Sequence, residues 1–330
     1  MKRLISTLAV LTVVLGIALM SVSLVGAQDA KLKFIMIAHG SPAGNPFWST
    51  VVKGMDDACA LLSAECSWLG DPDYSAEKMS AFWEDALAAK PTGIGTTAPD
   101  ADAVRAGVKT ANEQGIPVII FNTADKGAGT DQALGVLFYI GANERTGGQS
   151  NARRVLAQAA ADGKTITKGV CTIQEQGHSG LEARCAGVRD VFEENGIALD
   201  ILDINNDPTE SAGKIKDYFA ANKDTSAIFM LGPNPASALN LYIKEAGLKP
   251  GDLYATTHDT SAEIYQMIAD GYLLQAIDQQ PYLQGYETIN WLYLNSQYKL
   301  APGGDIFTGP GVIDASNVAA IEELVKAGYR

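Results

Sequence analysis

The 330-residue chain is poor in several residue types that would announce familiar chemistries. It has only three histidines, His39, His178 and His258, far apart in sequence and in no His-Glu-x-x-His array, so a zinc site has little support and no metal ligand is assigned. Positive charge is scarce. Against 38 acidic side chains stand 25 lysines and arginines, and the net charge of −13 argues against DNA, RNA or anionic lipid as a partner. No P-loop pattern occurs, no G-x-G-x-x-G follows a strand-like run, and Gly177-His-Ser-Gly180 is not a G-x-S-x-G nucleophile elbow. No cofactor is expected. After residue 25 no long apolar run competes for a membrane, and no low-complexity linker divides the chain.

The N-terminus has a clear pattern. Met1-Lys2-Arg3 is a short basic start, Leu4 to Val25 is apolar, and Val25-Gly26-Ala27 offers small residues to a peptidase, which predicts a signal peptide over 1–27 and a mature chain from Gln28. A permanent anchor needs a stretch of about the same length; the small-residue end and the immediate start of a soluble domain favour cleavage. No Cys precedes Cys59, so a lipid-modified Cys at the cleavage site is not expected and the product should be released into the periplasm. The mature chain, without Lys2 and Arg3, carries two positive charges fewer, −15.

An exported chain meets oxidising conditions. Of the three pairings open to Cys59, Cys66, Cys171 and Cys185, the simplest is local, 59 with 66 and 171 with 185. On a chain-entropy account, a loop of about 15 residues contributes roughly 3 kcal/mol. A redox or catalytic cysteine is the weaker alternative, because no C-x-x-C occurs.

Apolar runs alternate with helical spacing along the chain. Strand-like runs fall at 34–38, 93–97, 118–121, 169–173, 198–204, 227–231, 253–257 and 273–277, and amphipathic helical stretches lie between them. Met79, Phe82, Trp83, Ala86 and Leu87 share one such face, with Trp83 read as core. This alternation predicts parallel sheets covered on both faces by helices, and about 300 residues suffice for two such units.

The loop His39-Gly-Ser-Pro-Ala-Gly-Asn-Pro-Phe-Trp48 ends the first strand. Ligands collect at the carboxyl ends of strands in open α/β sheets. Asn, Ser and His exchange hydrogen bonds with hydroxyls, and Phe47 and Trp48 offer apolar faces to a sugar ring. The competing reading is a helix start, with Asn45 as N-cap, Pro46 first in the helix and both aromatics in the core.

With Asn45-Pro46-Phe47-Trp48, Asp100-Ala-Asp-Ala-Val104, Gly115-Ile-Pro-Val-Ile119, Gly147-Gly148, Arg184-Cys-Ala-Gly187, His258-Asp259 and Gln279-x-Pro281 in this order, nearly the whole mature chain resembles the periplasmic sugar-binding proteins of ABC transporters, ribose-binding type. The resemblance implies an α/β fold of type I periplasmic binding protein architecture: two Rossmann-like lobes with parallel sheets and three inter-lobe crossings. The lobes are expected at 28–142 plus 281–308 and at 143–280 plus 309–330. It further implies a monomer that captures a sugar or sugar alcohol and delivers it to the membrane permease of an ABC importer.

Carried over residue by residue, Asn45 matches an Asn that binds hydroxyls, and Phe47 and Trp48 match aromatics around the ring. His39 or Ser41 takes a strand-end position, and Thr97 falls where the family often has Asn. Asn122 and Thr123 replace an Asp-Arg pair, so the hydroxyl pattern read differs from that of ribose. Arg184 matches a guanidinium, Asp259 a hydroxyl acceptor beside His258, Gln279 a hinge-side contact and Asn234 a further Asn. From the residues alone, Arg184 could pair with Glu182 or Asp190 on the surface, Asp259 could cap the helix near Ser261, and His178 belongs to an exposed Gly-flanked loop. A carbohydrate-acting enzyme of glycosidase type, with paired carboxylates, is the second hypothesis, and a signalling or chemotaxis receptor another. A sugar-responsive repressor would need an N-terminal helix-turn-helix in place of the leader.

Overall fold

The computed structural model describes residues 31–330, and the expected signal peptide over 1–27 lies outside the described residues. The first of two six-stranded sheets holds β1 (Lys33–Ala38), β2 (Glu65–Gly70), β3 (Gly93–Thr96), β4 (Val118–Phe121), β5 (Tyr139–Gly141) and β11 (Ile306–Phe307). Its order is β11-β5-β4-β3-β1-β2, with every pairing parallel. The second holds β6 (Lys168–Ile173), β7 (Ala198–Asp203), β8 (Ala227–Phe229), β9 (Tyr254–His258), β10 (Gln275–Asp278) and β12 (Gly311–Asp314). Its order is β12-β10-β9-β8-β6-β7, parallel except at the antiparallel β10–β12 edge. The chain leaves the first sheet after β5, returns after β10 and crosses again between β11 and β12, giving three crossings between two lobes.

Burial on both faces explains why the strands read as apolar runs. All four residues of β3 and all four of β4 are buried. On one face of the first sheet Ile35, Ile37, Ile94 and Val118 pack with Met79, Trp83 and Ala86 of the helix Ala76–Ala88 and with Val104 and Val108 of Ala101–Glu113. Trp83 is core, 2% exposed. In the second lobe, Cys171, Ile173 and Phe229 meet the helices Glu144–Ala161 and Ser179–Glu194, while Val170, Ile228 and Ala255 meet Ile215, Leu239 and Ile264 on the other side.

Two helices are pressed together where glycines remove side chains. A Cβ on Gly148 would lie 2.0 Å from the Arg184 carbonyl oxygen, and one on Gly187 would lie 2.0 Å from that of Arg145. These reciprocal notches let Glu144–Ala161 and Ser179–Glu194 touch backbone to backbone, which brings Glu144 to Arg184. Cys59 is joined to Cys66 and Cys171 to Cys185, with Cα separations of 6.1 and 5.8 Å.

Candidate functional site

A cavity opens where the carboxyl ends of both sheets face each other. The first lobe contributes His39, Asn45, Phe47, Trp48 and Asn122; the second contributes Glu175, His178, Arg184, Asn234 and Asp259, and Gln279 joins from the crossing after β10. Asn122 follows β4 and Asp259 follows β9, and both adopt left-handed backbone, φ 63° and 65°. Asn and Asp tolerate this conformation better than other side-chain-bearing residues. Each is held by its own backbone N–H: Asn122 donates to the Ile140 carbonyl at 2.9 Å and Asp259 to that of Ile277 at 2.7 Å.

From these turns a relay of hydrogen bonds spans the cleft. The Thr123 hydroxyl donates to Asn122 Oδ1 at 2.9 Å, Asn122 Nδ2 to Gln279 Oε1 at 3.5 Å, and Gln279 Nε2 to Asp259 Oδ1 at 2.7 Å. Arg184 lies beyond Asp259, its Nη1 3.9 Å from Oδ2. Its guanidinium grips Glu144 by two bonds, 2.5 Å from Nε and 3.1 Å from Nη2, and donates from Nη1 to the Leu231 carbonyl at 2.7 Å. Arg184 is therefore a buried, paired cation, not a surface partner of Glu182 or Asp190.

The aromatic loop starts a helix and also borders the cavity. Asn45 caps the helix Pro46–Leu61, its Oδ1 accepting from the Phe47 N–H at 3.1 Å, and Pro46 begins the helix. Phe47 and Trp48 are 6% and 5% exposed and pack edge to face at 4.8 Å, yet both line the cavity.

Other expectations are corrected. Thr97 is fully buried and away from the cavity; its hydroxyl holds His39, 2.9 Å from Nδ1 and 3.1 Å from the backbone N. Ser41 lies in an adjoining outer groove, its Oγ accepting from the Ala43 N–H, because the loop leaves the cavity between His39 and Asn45. His258, still on β9, points back into its lobe and meets Asn151, 3.4 Å from its Nδ1, so only the next residue turns into the cleft. Asp259 does not cap the helix Ala262–Ala269; Ser261 does. His178 is buried: it caps Ser179–Glu194 and reaches across the cleft to His39. Reasoning from the sequence also missed Glu144, Gln174, Glu175 and Asn206, of which Glu144 alone carried a signal, as the acidic first residue of a helix capped by Asn143.

Residues 40–299 match the periplasmic binding protein domain family. The chain belongs to that family. The xylose/arabinose-binding protein XylF of Sulfolobus acidocaldarius is 27% identical over 296 residues, which span 87% of this chain and 72% of that protein. A carbohydrate transporter from Acidothermus cellulolyticus, solved in complex with myo-inositol, is 31% identical, with TM-score 0.78 over 91% of this chain and all of that one. A periplasmic sugar-binding protein of an ABC sugar transporter from Legionella pneumophila is 27% identical, with TM-score 0.77 over 84% of this chain and all of that one.

In this periplasmic binding protein, burial dominates the electrostatics of the cleft. It raises Asp259 to about 7, with Arg184 opposing, and it raises Glu175 even though Asn206 donates to its Oε1 at 2.9 Å. Burial, with repulsion from Arg184, lowers His178 to about 3 and holds His39 well below its ordinary value. His39, Glu175 and His178 place side-chain N and O atoms within 4.8 Å of one another, the one group among the described residues whose spacing could admit a metal ion.

Proposed function

We propose that this chain is an extracytoplasmic solute-binding protein that captures a sugar or sugar alcohol between its lobes and delivers it to the permease of an ABC importer. The observation that carries this reading is the relay from Thr123 to Asp259, ending beside Arg184 and opposite Phe47 and Trp48. Both lobes thus present hydroxyl-matching donors and acceptors next to apolar ring faces. The sugar-related names of its relatives support the same class. In this reading Asn45, Asn122, Arg184, Asn234, Asp259 and Gln279 meet hydroxyls, and the lobes comprise 28–142 plus 281–308 and 143–280 plus 309–330. The protein acts as a monomer in the periplasm after loss of its leader, and it binds its ligand unchanged.

A thermal-shift screen of the mature protein against myo-inositol, pentoses, hexoses and amino acids tests this. A ligand at 100 times its dissociation constant adds about 2.7 kcal/mol of stability. Amino acids stabilising the fold while every sugar and polyol fails would overturn the assignment, and so would release of product from glycosides on prolonged incubation.

A further inference from the structure

His39 and His178 are 139 positions apart and belong to different lobes, yet their Nε2 atoms lie 3.0 Å apart. The hydrogens on this pair follow from its neighbours. His178 Nδ1 faces the backbone N–H groups of Gly180 and Leu181 at 3.0 and 3.3 Å. A backbone N–H can only donate, so Nδ1 carries no proton and the neutral ring has its proton on Nε2. That proton points at His39 Nε2, which must accept it. The proton of His39 then sits on Nδ1, where the Thr97 hydroxyl receives it at 2.9 Å.

We propose that this bond is an acid-released clasp: neutral His39 accepts from His178 to hold the lobes closed over ligand, and protonation of His39 at Nε2 sets two N–H groups head to head and opens the cleft. The proposal rests on the sugar-binding reading only for the identity of what is held. The same hydrogen pattern opposes a metal ion at His39, Glu175 and His178. A metal on His178 Nε2 would require a ring with no proton at all, because Nδ1 is occupied in accepting.

The cations around the pair oppose its protonation, and the carboxylates near it act in the other sense. Arg184 and His178 repel a proton on His39, and Lys126, itself paired with Glu182 at 3.2 Å, repels one on His178. Glu175 Oε2 is 3.8 Å from His178 Nε2, beyond hydrogen-bond reach. Behind His39 stands Tyr74, its ring edge-on at 6.1 Å and its phenol raised to about 12, with Asp71, Asp73 and Lys78 around the same crevice. The His178 Nδ1 bonds lie within one lobe and persist on opening, so His39 is the ring that takes up the proton.

His39 is depressed in the closed form and returns toward an ordinary 6.5 when water reaches it. Its contribution to closure is therefore full above 6.5 and is lost as pH falls below it. Between pH 7.5 and 5.0 one such ring costs closure about thirtyfold. Asp259 shifts in the opposite sense, but it is common to wild type and variants and cancels in their comparison.

Two variants separate the parts. His39→Gln keeps an acceptor that does not titrate, and His178→Asn keeps the helix cap but removes the ring that crosses the cleft. Whichever of myo-inositol, D-xylose and L-arabinose binds at pH 7.5 is titrated calorimetrically at pH 7.5 and 5.0, and small-angle scattering follows the ligand-free proteins over the same range. On acidification the wild type is expected to lose at least tenfold in affinity relative to His39→Gln and to expand relative to it. His39→Gln should not weaken on acidification and should not expand, since protonation of Asp259 favours closure as pH falls, and His178→Asn should bind about two- to tenfold more weakly at pH 7.5. Equal pH dependence of wild type and His39→Gln in both measurements overturns the clasp. Zinc stabilisation that His178→Asn abolishes also overturns it, in favour of a metal site. If none of the three sugars binds while scattering responds as expected, the sugar reading falls and the clasp stands.

Discussion

Replacing Asp259 with Asn should stabilise the ligand-free protein while damaging binding. The carboxyl is raised from an ordinary 3.8 to about 7 by burial. The sign follows from that direction: the buried carboxyl costs nothing extra below 3.8, and the cost grows as pH rises toward 7 and is full above it. The gap corresponds to about 4 kcal/mol at pH 8 if the cleft stays shut. Opening admits water and relieves much of this, leaving an expected gain of about 1–2 kcal/mol, or roughly 2–8 °C in Tm. Asn is the right probe because it tolerates the left-handed backbone at φ 65° that Ala would strain. Binding should fall, because a charged acceptor for ligand hydroxyls contributes about 1.5–3 kcal/mol, roughly a tenfold to hundredfold change in dissociation constant. Scanning calorimetry at pH 8 and 5.5, with titration of the bound sugar, reads both effects. A lower Tm at pH 8, or a gain that persists at pH 5.5 where Asp259 is already protonated, would refute the reasoning.

Glu144→Gln removes the carboxylate paired with buried Arg184 and should cost about 3 kcal/mol by chemical denaturation. It should also lower the Asp259 titration point followed by carbon NMR, since the Glu144 charge raises it; an unmoved Asp259 would show that the two carboxylates do not communicate. Gly187→Ala drives a methyl into the Arg145 carbonyl and should destabilise by about 1–3 kcal/mol or more, whereas wild-type stability would mean that the helices part freely. Non-reducing peptide mapping of exported protein should return Cys59 linked to Cys66 and Cys171 to Cys185, and four alkylatable thiols would reject that pairing.

The fold was legible wherever a strand is buried on both faces. Val118–Phe121 and Ala227–Phe229 are unbroken apolar runs because helices cover both sides of them, so composition alone marks them. The strands that escaped notice lie at or near edges. Glu65–Gly70 has no fully buried residue, Tyr139–Gly141 and Ile306–Phe307 have three residues and two, and Gly311–Asp314 pairs antiparallel at the rim. Such strands are held by pairing with a neighbour already in place, and no local periodicity records that.

Legibility of the site divides along a similar line. The cap at Asn45 and the aromatics after it are encoded within four residues and could be read directly, whereas Arg184 could be placed beside Asp190 or Glu182 only because helical spacing is all a sequence offers. Its actual partner, Glu144, comes from another helix, brought near by the notches at Gly148 and Gly187. Glycine explains this contact by what it lacks, and a missing side chain announces no partner. His258 and Asp259 show the limit within a single dipeptide: both stood as candidates, and the backbone decides between them. His258 remains on the strand and faces the core, and the reversal to φ 65° one residue later delivers Asp259 to the cleft. The same reversal at Asn122 delivers a facing side chain from the other lobe, so the two sheets meet at the cavity through one repeated turn, and the polar residue at each turn is of a type that left-handed backbone tolerates.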